Sequence, residues 1–481
     1  MSDGSGDFSH FLDIYLFLRA HPKTRNFELI PVICCDKDPV KTQVESRFKK
    51  ILSKIESNNI PLYFYGDEEA YDNDLSKNKS LIRCFSEAVQ IINISYPAIG
   101  TFKKLLSYTN PKARLKSIGE HEYSIASQGW ISRSLGLGPN SYGIKCKQIE
   151  PLLPADAFAV MEKNDPLFTQ ALLKSTSSDT FFSFQANNIF TSAYFQHTRS
   201  ADLKLFLLLF AVNQSLPKNK DIVIYLSSNT VNKFVEEINN SHEFKEMLSG
   251  TNLKRIEWIS PDDVQINTEI NLTGNRIIKI LFGFNLCDKS YSALYQCIGI
   301  AAVTGDNTLE QAISSHVLPF YRSFNYENKK ATLWALKNII KENFKDLSEK
   351  LLQDLQLFFE YARLPGKDNN PRWLKTYKQF AEEFKHMDLI SMINTWPEIA
   401  KYINEKYNFF NKLEEIFFED LDPELLINAH TLDNEVNKQN LQSQVVFTQQ
   451  DHFSFFRENK NKILIGGAIA ASCIYWATNT L

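Results

Sequence analysis

The chain has 481 residues, 43% of them apolar and 23% charged, close to ordinary globular composition, so wholesale disorder is excluded. A formal net charge of -3 argues against a protein that coats nucleic acid, because a duplex binder needs a cationic excess to neutralise phosphates. Seven cysteines without a CxxC pair, and a start lacking any secretory signal pattern, are expected of reduced thiols in the cytoplasm.

Over the first hundred residues, short apolar runs alternate with helical patterns. Phe27–Cys35, Ile60–Tyr65, Val89–Ser95 and Ala113–Ile118 read as strands, and Pro39–Ser57 and Gly100–Tyr108 as helices. Short apolar strands separated by helices predict a parallel sheet covered on both faces. Gly129–Lys145, rich in Gly, Ser, Pro and Asn, reads as loop, and Pro151–Asp179 as a connection between domains. The alternation restarts with a strand at Thr180–Gln185, a turn at Ala186–Asn188, an apolar helix at Ser200–Ser215, a strand at Asp221–Leu226 and a helix from Thr230 to Asn240. Arg255–Ile259, Ile277–Phe282 and Ile298–Val303 supply three more strands. The predicted fold class is α/β, with two doubly wound Rossmann-like domains at residues 1–155 and 175–340.

Helical periodicity with charged faces follows at Lys330–Phe344, Leu347–Tyr361, Tyr377–Ile390 and Trp396–Phe410. It predicts a helical region over 341–430, then a polar, Gln-rich linker at 431–460. Within 461–481, Ile463–Ala477 is apolar, follows Arg457, Lys460 and Lys462, and carries Tyr475-Trp476. This pattern predicts a tail helix that anchors the chain to a membrane. Fifteen residues reach only about 22 Å, and extension to Leu481 about 28 Å, against a hydrocarbon core of roughly 30 Å. A buried terminal helix is the alternative.

Three places suit chemistry. At the start, Gly4-Ser5-Gly6-Asp7-Phe8-Ser9-His10 opens an apolar helix, Phe11–Arg19. Backbone N–H groups beside Gly6 suit an anion or a sugar, and Asp7, His10 or Asp13 suits a general base. The same residues also suit an ordinary helix cap. Next, the strand Ile298–Val303 runs into Thr304-Gly305-Asp306-Asn307-Thr308-Leu309-Glu310. Here Gly305 suits a tight strand-to-helix turn, the helix start offers donors to phosphate or ribose, and Glu310 offers an acceptor to hydroxyls. A reciprocal cap between Asn307 and Glu310 is the alternative.

The third set comprises Asn187 and Asn188, Ser227, Ser228 and Asn229, and Gly283, expected in loops at the carboxyl ends of second-half strands. Open α/β sheets bind ligands outside those ends, although turn chemistry accounts for each loop alone. Glu120-His121-Glu122 lacks a metal-ligand spacing, since neighbours on an extended strand face opposite ways. No HExxH, Walker-type, GxSxG or GxGxxG sequence stands in a suitable context.

The stretch Gly4–His10 and the run TGDNTLEQAISSHVLPF, Thr304–Phe320, resemble two-domain glycosyltransferases of the GT-B architecture. Within that class the resemblance is to bacterial heptosyltransferase-like enzymes and protein-arginine rhamnosyltransferases. It covers residues 1–340 in organisation and only these two stretches in motif. It implies an interdomain cleft with a nucleotide-sugar held mostly by the second domain, near Gly305, Asp306, Asn307 and Glu310. It also implies a catalytic acid in the Gly-rich loop, which falls on Asp7, with His10 and Asp13 as neighbours. No metal is implied, and no DxD doublet stands in a suitable loop. One departure is that no strand precedes the Gly-rich loop in the sequence.

The expected function is metal-independent, inverting transfer of a sugar from a nucleotide-sugar to an acceptor such as a protein, at the cytoplasmic face of a membrane. No cofactor beyond the donor is expected. Two alternatives stand beside it. One is a nucleotide-sugar epimerase of the same fold that draws on residues 120–122. The other is a catalytically inactive, membrane-tethered interaction protein that docks a partner through its helical region.

Overall fold

A computed structural model describes residues 5–24, 27–35, 45–46, 48–49, 63–65, 79–94, 107–119, 131–139, 141–147, 149–195, 200–227, 231–262, 265–322, 327–360, 375–418 and 461–469. The chain forms two compact units: residues 1–136, 140–142 and 409–481 make the first, and 137–139 and 143–408 the second.

The first unit starts with helix α1 (Ser5–Ala20), a 3-10 turn at Pro22–Thr24 and strand β1 (Phe27–Cys35). Strand β2 (Tyr63–Tyr65), helix α2 (Lys79–Glu87) and strands β3 (Ala88–Ile94), β4 (Arg114–Gly119) and β5 (Ile131–Ser134) follow. In α1, Phe11, Ile14, Tyr15 and Leu18 recur at three- and four-residue intervals, so they share one face, and they pack with Ile92 and Ile94 of β3. Each such side chain, once fully buried, contributes about 1.5–3 kcal/mol.

The second unit begins with helices α3 (Pro154–Asn164), α4 (Pro166–Ser175) and α5 (Phe181–Asn187). Strand β6 (Asn188–Tyr194), helix α6 (Ser200–Val212), strand β7 (Asp221–Ser227) and helices α7 (Val231–Asn240) and α8 (His242–Ser249) come next. They lead to strands β8 (Leu253–Ile259), β9 (Gln265–Glu269) and β10 (Arg276–Phe282), helix α9 (Asp288–Leu294) and strand β11 (Ile300–Val303). Helix α10 (Asp306–Ser314), strand β12 (Leu318–Tyr321) and helices α11 (Glu327–Asn343), α12 (Glu349–Phe358), α13 (Tyr377–Lys385) and α14 (Leu389–Lys406) complete it. The chain then returns to the first unit with α15 (Phe409–Phe418) and β13 (Asn461–Ile469).

Each unit holds one sheet. The first is six-stranded and parallel throughout, in the order β2-β1-β13-β3-β4-β5. The second runs β12-β11-β6-β7-β10-β8-β9, and only β9 is antiparallel. Parallel sheets need both faces covered, which is why β7 reads as a continuous apolar run, Ile222–Leu226, buried throughout. Helix α6 is buried on every side from Ser200 to Ala211, because α13, α7 and α8 all pack against it. Helices α12, α13 and α14 belong to the same hydrophobic core as the second sheet.

Several sequence expectations need correction. Thr180–Gln185 is helix rather than strand. Thr180 and Ser183 cap each other's main-chain N–H, at 3.1 and 3.2 Å, and Phe181 and Phe184 turn inward at helical spacing while Phe182 is 72% exposed. Pro151–Asp179 is not a connecting segment but holds α3 and α4, each with a proline in its first turn, where a missing N–H costs nothing. Inside Gly129–Lys145, Ile131–Ser134 forms edge strand β5 beside β4.

The largest correction concerns the tail. Residues 461–469 are not part of an apolar helix; they form β13, a central strand bonded to β1 on one side and β3 on the other. Among the described residues, no helix is long and apolar enough to cross a membrane. The remainder of the expected anchor, the 431–460 linker and nearly all of the helices expected at Pro39–Ser57 and Gly100–Tyr108 lie outside the described residues.

Candidate functional site

In the second sheet, β6 is the strand from which the chain departs to both sides. From β6 the chain builds outward through β7, whereas β11 and β12 lie on β6's other side. In open α/β sheets, connections from the carboxyl ends of two strands at such a reversal depart in opposite directions, and ligands bind in the crevice between them. Ala301 and Ala302 of β11 pair with Ser192 and Ala193 of β6, which sets Val303 level with Tyr194 and Thr304 one residue beyond, where these strands end. The Thr304 hydroxyl donates to the Tyr194 carbonyl at 3.3 Å and ties the two ends together.

Helix α10 begins at this edge. The first N–H groups of any helix lack an intrahelical acceptor, and its dipole favours negative charge there. Gly305 is the capping residue, in extended conformation at φ -101°, which any residue can adopt. A Cβ at Gly305 would meet the Thr308 hydroxyl at 3.5 Å and the Tyr194 ring at 3.6 Å, both ordinary contacts. The turn thus does not require glycine; its absent side chain leaves room beside Tyr194. Thr308 closes the turn, accepting from the Gly305 N–H at 3.3 Å and donating to the Gly305 carbonyl at 2.7 Å.

Three expected ligand groups are already engaged. Glu310 is buried: its Oε2 lies 3.3 Å from the Lys145 ammonium, and its Oε1 accepts from the Lys145 main-chain N–H at 3.0 Å. It is therefore not an acceptor for ribose hydroxyls. The Asn307 amide oxygen accepts from the same ammonium at 2.9 Å, so the reciprocal Asn307–Glu310 cap is absent as well. Asp306 accepts from the Tyr321 hydroxyl at 2.8 Å, which fixes its carboxylate beside the end of β12. Arg322, just past β12, faces Asp202 at the start of α6 across 3.5 Å.

The remaining expected loops divide. Asn187 ends α5 and Asn188 begins β6, so both stand at the amino end of a strand, opposite the crevice. Their amides donate to Ser183 and Phe184 carbonyls at 3.0 and 2.9 Å, which is helix termination and not ligand chemistry. Ser227 ends β7 at the carboxyl edge; Ser228 and Asn229 lie outside the described residues. Gly283 follows β10 at that edge with φ +76°, and a Cβ there would lie 3.3 Å from Pro261. Gly283→Ala should cost about 1–2 kcal/mol through the left-handed backbone alone, read as a lower urea midpoint at unchanged slope.

In the first unit, Gly6 and Asp7 lie inside α1 rather than in a loop before it. Asp7, His10 and Asp13 succeed one another at three-residue spacing and so neighbour each other along the helix. His10 is only 4% exposed, with its ring 6.4 Å from Phe409, which removes it from the role of an accessible base. Asp13 is half-buried; the side chain of Asp7 lies outside the described residues, as do Glu120, His121 and Glu122.

Sequence reasoning missed a group of tyrosines. Tyr291 on α9 and Tyr295 just past its end meet with rings tilted at 55° and hydroxyls 3.4 Å apart, and the Tyr225 hydroxyl donates to the Phe284 carbonyl at 2.8 Å. Burial pushes Tyr225 up to about 12 and raises Tyr194, Tyr291 and Tyr295 too, so all four stay neutral hydrogen-bonding groups near the β6 and β7 ends. Their only sequence signal is the four-residue spacing of Tyr291 and Tyr295. Among the described residues, no group of His, Cys, Asp and Glu could hold a metal ion.

A separate wide cleft, about 1370 Å³, opens at the opposite edge of this unit. Asn213, Lys218, Asn252, Asn275, Arg276 and Lys378 line it, near the amino ends of β7, β8 and β10.

No protein-family model matches the chain, and no curated protein does. Solved structures do resemble it. One is that of EarP, described for arginine glycosylation of translation elongation factor EF-P: 10% identity and a TM-score of 0.38 over 82% of this chain and 99% of that one. Another is the N-terminal domain of Candida albicans trehalose-6-phosphate phosphatase, at 9% identity and a TM-score of 0.39 over 82% and 97%. A third is a UDP-forming α,α-trehalose-phosphate synthase from Burkholderia vietnamiensis, at 7% identity and a TM-score of 0.38 over 82% and 100%.

Proposed function

We propose that the second unit binds a nucleoside diphosphate, carried on a nucleotide-sugar, in the crevice between β6 and β11, and that the chain is a metal-independent glycosyltransferase of GT-B type. The observation that carries this reading is the strand reversal at β6 and β11, with Tyr194, Thr304 and the first turn of α10 at its mouth. Lys145 neutralises Glu310 just behind that turn, so the buried carboxylate does not oppose an anion with a full charge.

In transfer, the acceptor nucleophile attacks the anomeric carbon while the bond from that carbon to the diphosphate oxygen breaks. The nucleoside diphosphate leaves with the electron pair, and a single displacement inverts the centre. N–H groups at the start of α10 would oppose the charge developing on the leaving oxygen. Asp7 is our assignment for the base that takes the acceptor's proton, with Asp13 as its neighbour on α1. The acceptor class that fits the resemblance is a protein side chain. A nucleotide-binding protein without transfer is the second reading, favoured by the burial of His10.

The test is thermal unfolding of the full chain with nucleoside diphosphates and their sugar conjugates. Ligand at a hundred times its dissociation constant adds about 2.7 kcal/mol of apparent stability. Gly305→Asp is the deciding variant: it supplies a good helix cap into available space, yet sets a carboxylate where the diphosphate would lie. Its unliganded melting temperature should hold or rise while the nucleotide shift disappears. A flat response from the parent, or an undiminished shift in the variant, would sink the proposal. A shift without sugar transfer to any acceptor would leave the second reading.

A further inference from the structure

The first sheet is completed from the far end of the chain, by β13 between β1 and β3. Strands in a sheet lie about 4.8 Å apart, so without β13 its neighbours β1 and β3 would face each other across roughly 10 Å, too far to pair. β13 bridges them along its length: Leu464 pairs with Ile30 and Ile91, and Ile465 with Pro31 and Ile92.

We infer that β13 is the first strand of a doubly wound sheet in everything but chain position, so that this fold is circularly permuted, opened between its first strand and its first helix. Counted from β13, the strands β13, β1, β2, β3, β4 and β5 take the spatial order 3-2-1-4-5-6 with every strand parallel. That is the order of the doubly wound dinucleotide fold. Helix α1 then takes the place of the first crossover: it packs against β13 and β3, and leads through Pro22–Thr24 into the amino end of β1.

The geometry of the ends agrees. Sixteen helical residues rise about 24 Å, while a nine-residue strand rises about 30 Å. Since α1 finishes at the amino end of β1, its start returns toward the carboxyl edge. There Ile469 ends β13 opposite Cys35. Ser5, which opens α1, and Ile469, which closes β13, thus stand toward one edge of the sheet. Gly466 and Gly467 suit a strand against which α1 and α2 pack: consecutive strand residues face opposite ways, so each face of β13 has one position without a side chain. The strand that the glycosyltransferase resemblance places ahead of Gly6 and Asp7 is thereby present, at the other end of the sequence.

The test uses two full-length chains. In the first, residues 441–481 are moved ahead of residues 1–440, which joins Leu481 to Met1 and deletes nothing. The second is Ile465→Pro in the parental order; proline removes a ladder donor from a strand paired on both sides. Amide exchange is followed at residues 27–35 and 88–94. The rearranged chain should protect both segments as the parent does, within about threefold. Ile465→Pro should lower protection in both by at least tenfold, while residues 221–227 of the second unit keep theirs. Unchanged protection in Ile465→Pro overturns the inference, and so does lost protection in the rearranged chain.

Discussion

Lys145→Met should destabilise the second unit by about 3–5 kcal/mol, as expected when one partner of a buried ion pair is removed. Both side chains are buried, at 2% and 4% exposure, so little solvent is present to take over from the missing ammonium. Glu310 would keep the main-chain donor of residue 145 and lose the ammonium beside it, and Asn307 would lose its bond to that ammonium as well. Urea unfolding measures the cost as a midpoint shift at constant slope. A second variant separates charge from packing. Lys145→Met with Glu310→Leu removes both ions together and should recover most of the loss, because an apolar pair of similar volume is often as stable as a buried salt bridge. Parental stability in the single variant would show that the pair does not hold α10. The pair sits behind the proposed nucleotide turn, so the single variant should also weaken the nucleotide shift, and the double variant should restore part of it.

The pair also shows where sequence reading stops. Glu310 was legible as an acid at a helix start, but its partner lies 165 residues away, inside a stretch that reads as loop. No local pattern connects the two. Strand β7 was legible for the opposite reason: both faces of a parallel strand are buried, and Ile222–Leu226 declares it in five consecutive residues. Two of the misread segments failed differently. Thr180–Gln185 spaces its phenylalanines in a way that suits either period, and only the Thr180–Ser183 cap decides for helix. Ile463–Ile469 is a continuous apolar run without period, for which terminal helix and central strand look alike. Its strand neighbours, Phe27–Cys35 and Ala88–Ile94, stand at the other end of the sequence, where only tertiary structure can bring them. The crevice was half legible. Gly305 directly after a strand marked its place, but the tyrosines around it come from β6, β7 and α9 and meet only in three dimensions.

Arg276→Met should cost the second unit about 2–4 kcal/mol and leave nucleotide binding intact. Arg276 opens β10 and lines the wide cleft, so a cationic ligand-binding role would be the first reading of its position. Its contacts say otherwise. The guanidinium donates to the Phe210 carbonyl at 3.0 Å and to the Pro217 carbonyl at 2.7 Å, and the residue is 3% exposed. Burial lowers its pKa, an effect that the Asp221 carboxylate opposes. A cation at the last turn of α6 meets the negative end of that helix and satisfies carbonyls that no helical N–H can reach. Methionine keeps the length and loses these donors, leaving buried acceptors unpaired at about 1–3 kcal/mol each. Lysine should not rescue the loss, since one ammonium on a flexible stem cannot reproduce a planar fork spanning both carbonyls. The proposed nucleotide crevice lies at the carboxyl edge of the same sheet, at β6 and β11, and the wide cleft at the amino edge, at β7, β8 and β10, so the nucleotide-induced rise in melting temperature should persist in Arg276→Met from a lower baseline. Unaltered stability together with a lost nucleotide shift would move the binding site to the wide cleft and make Arg276 a ligand contact.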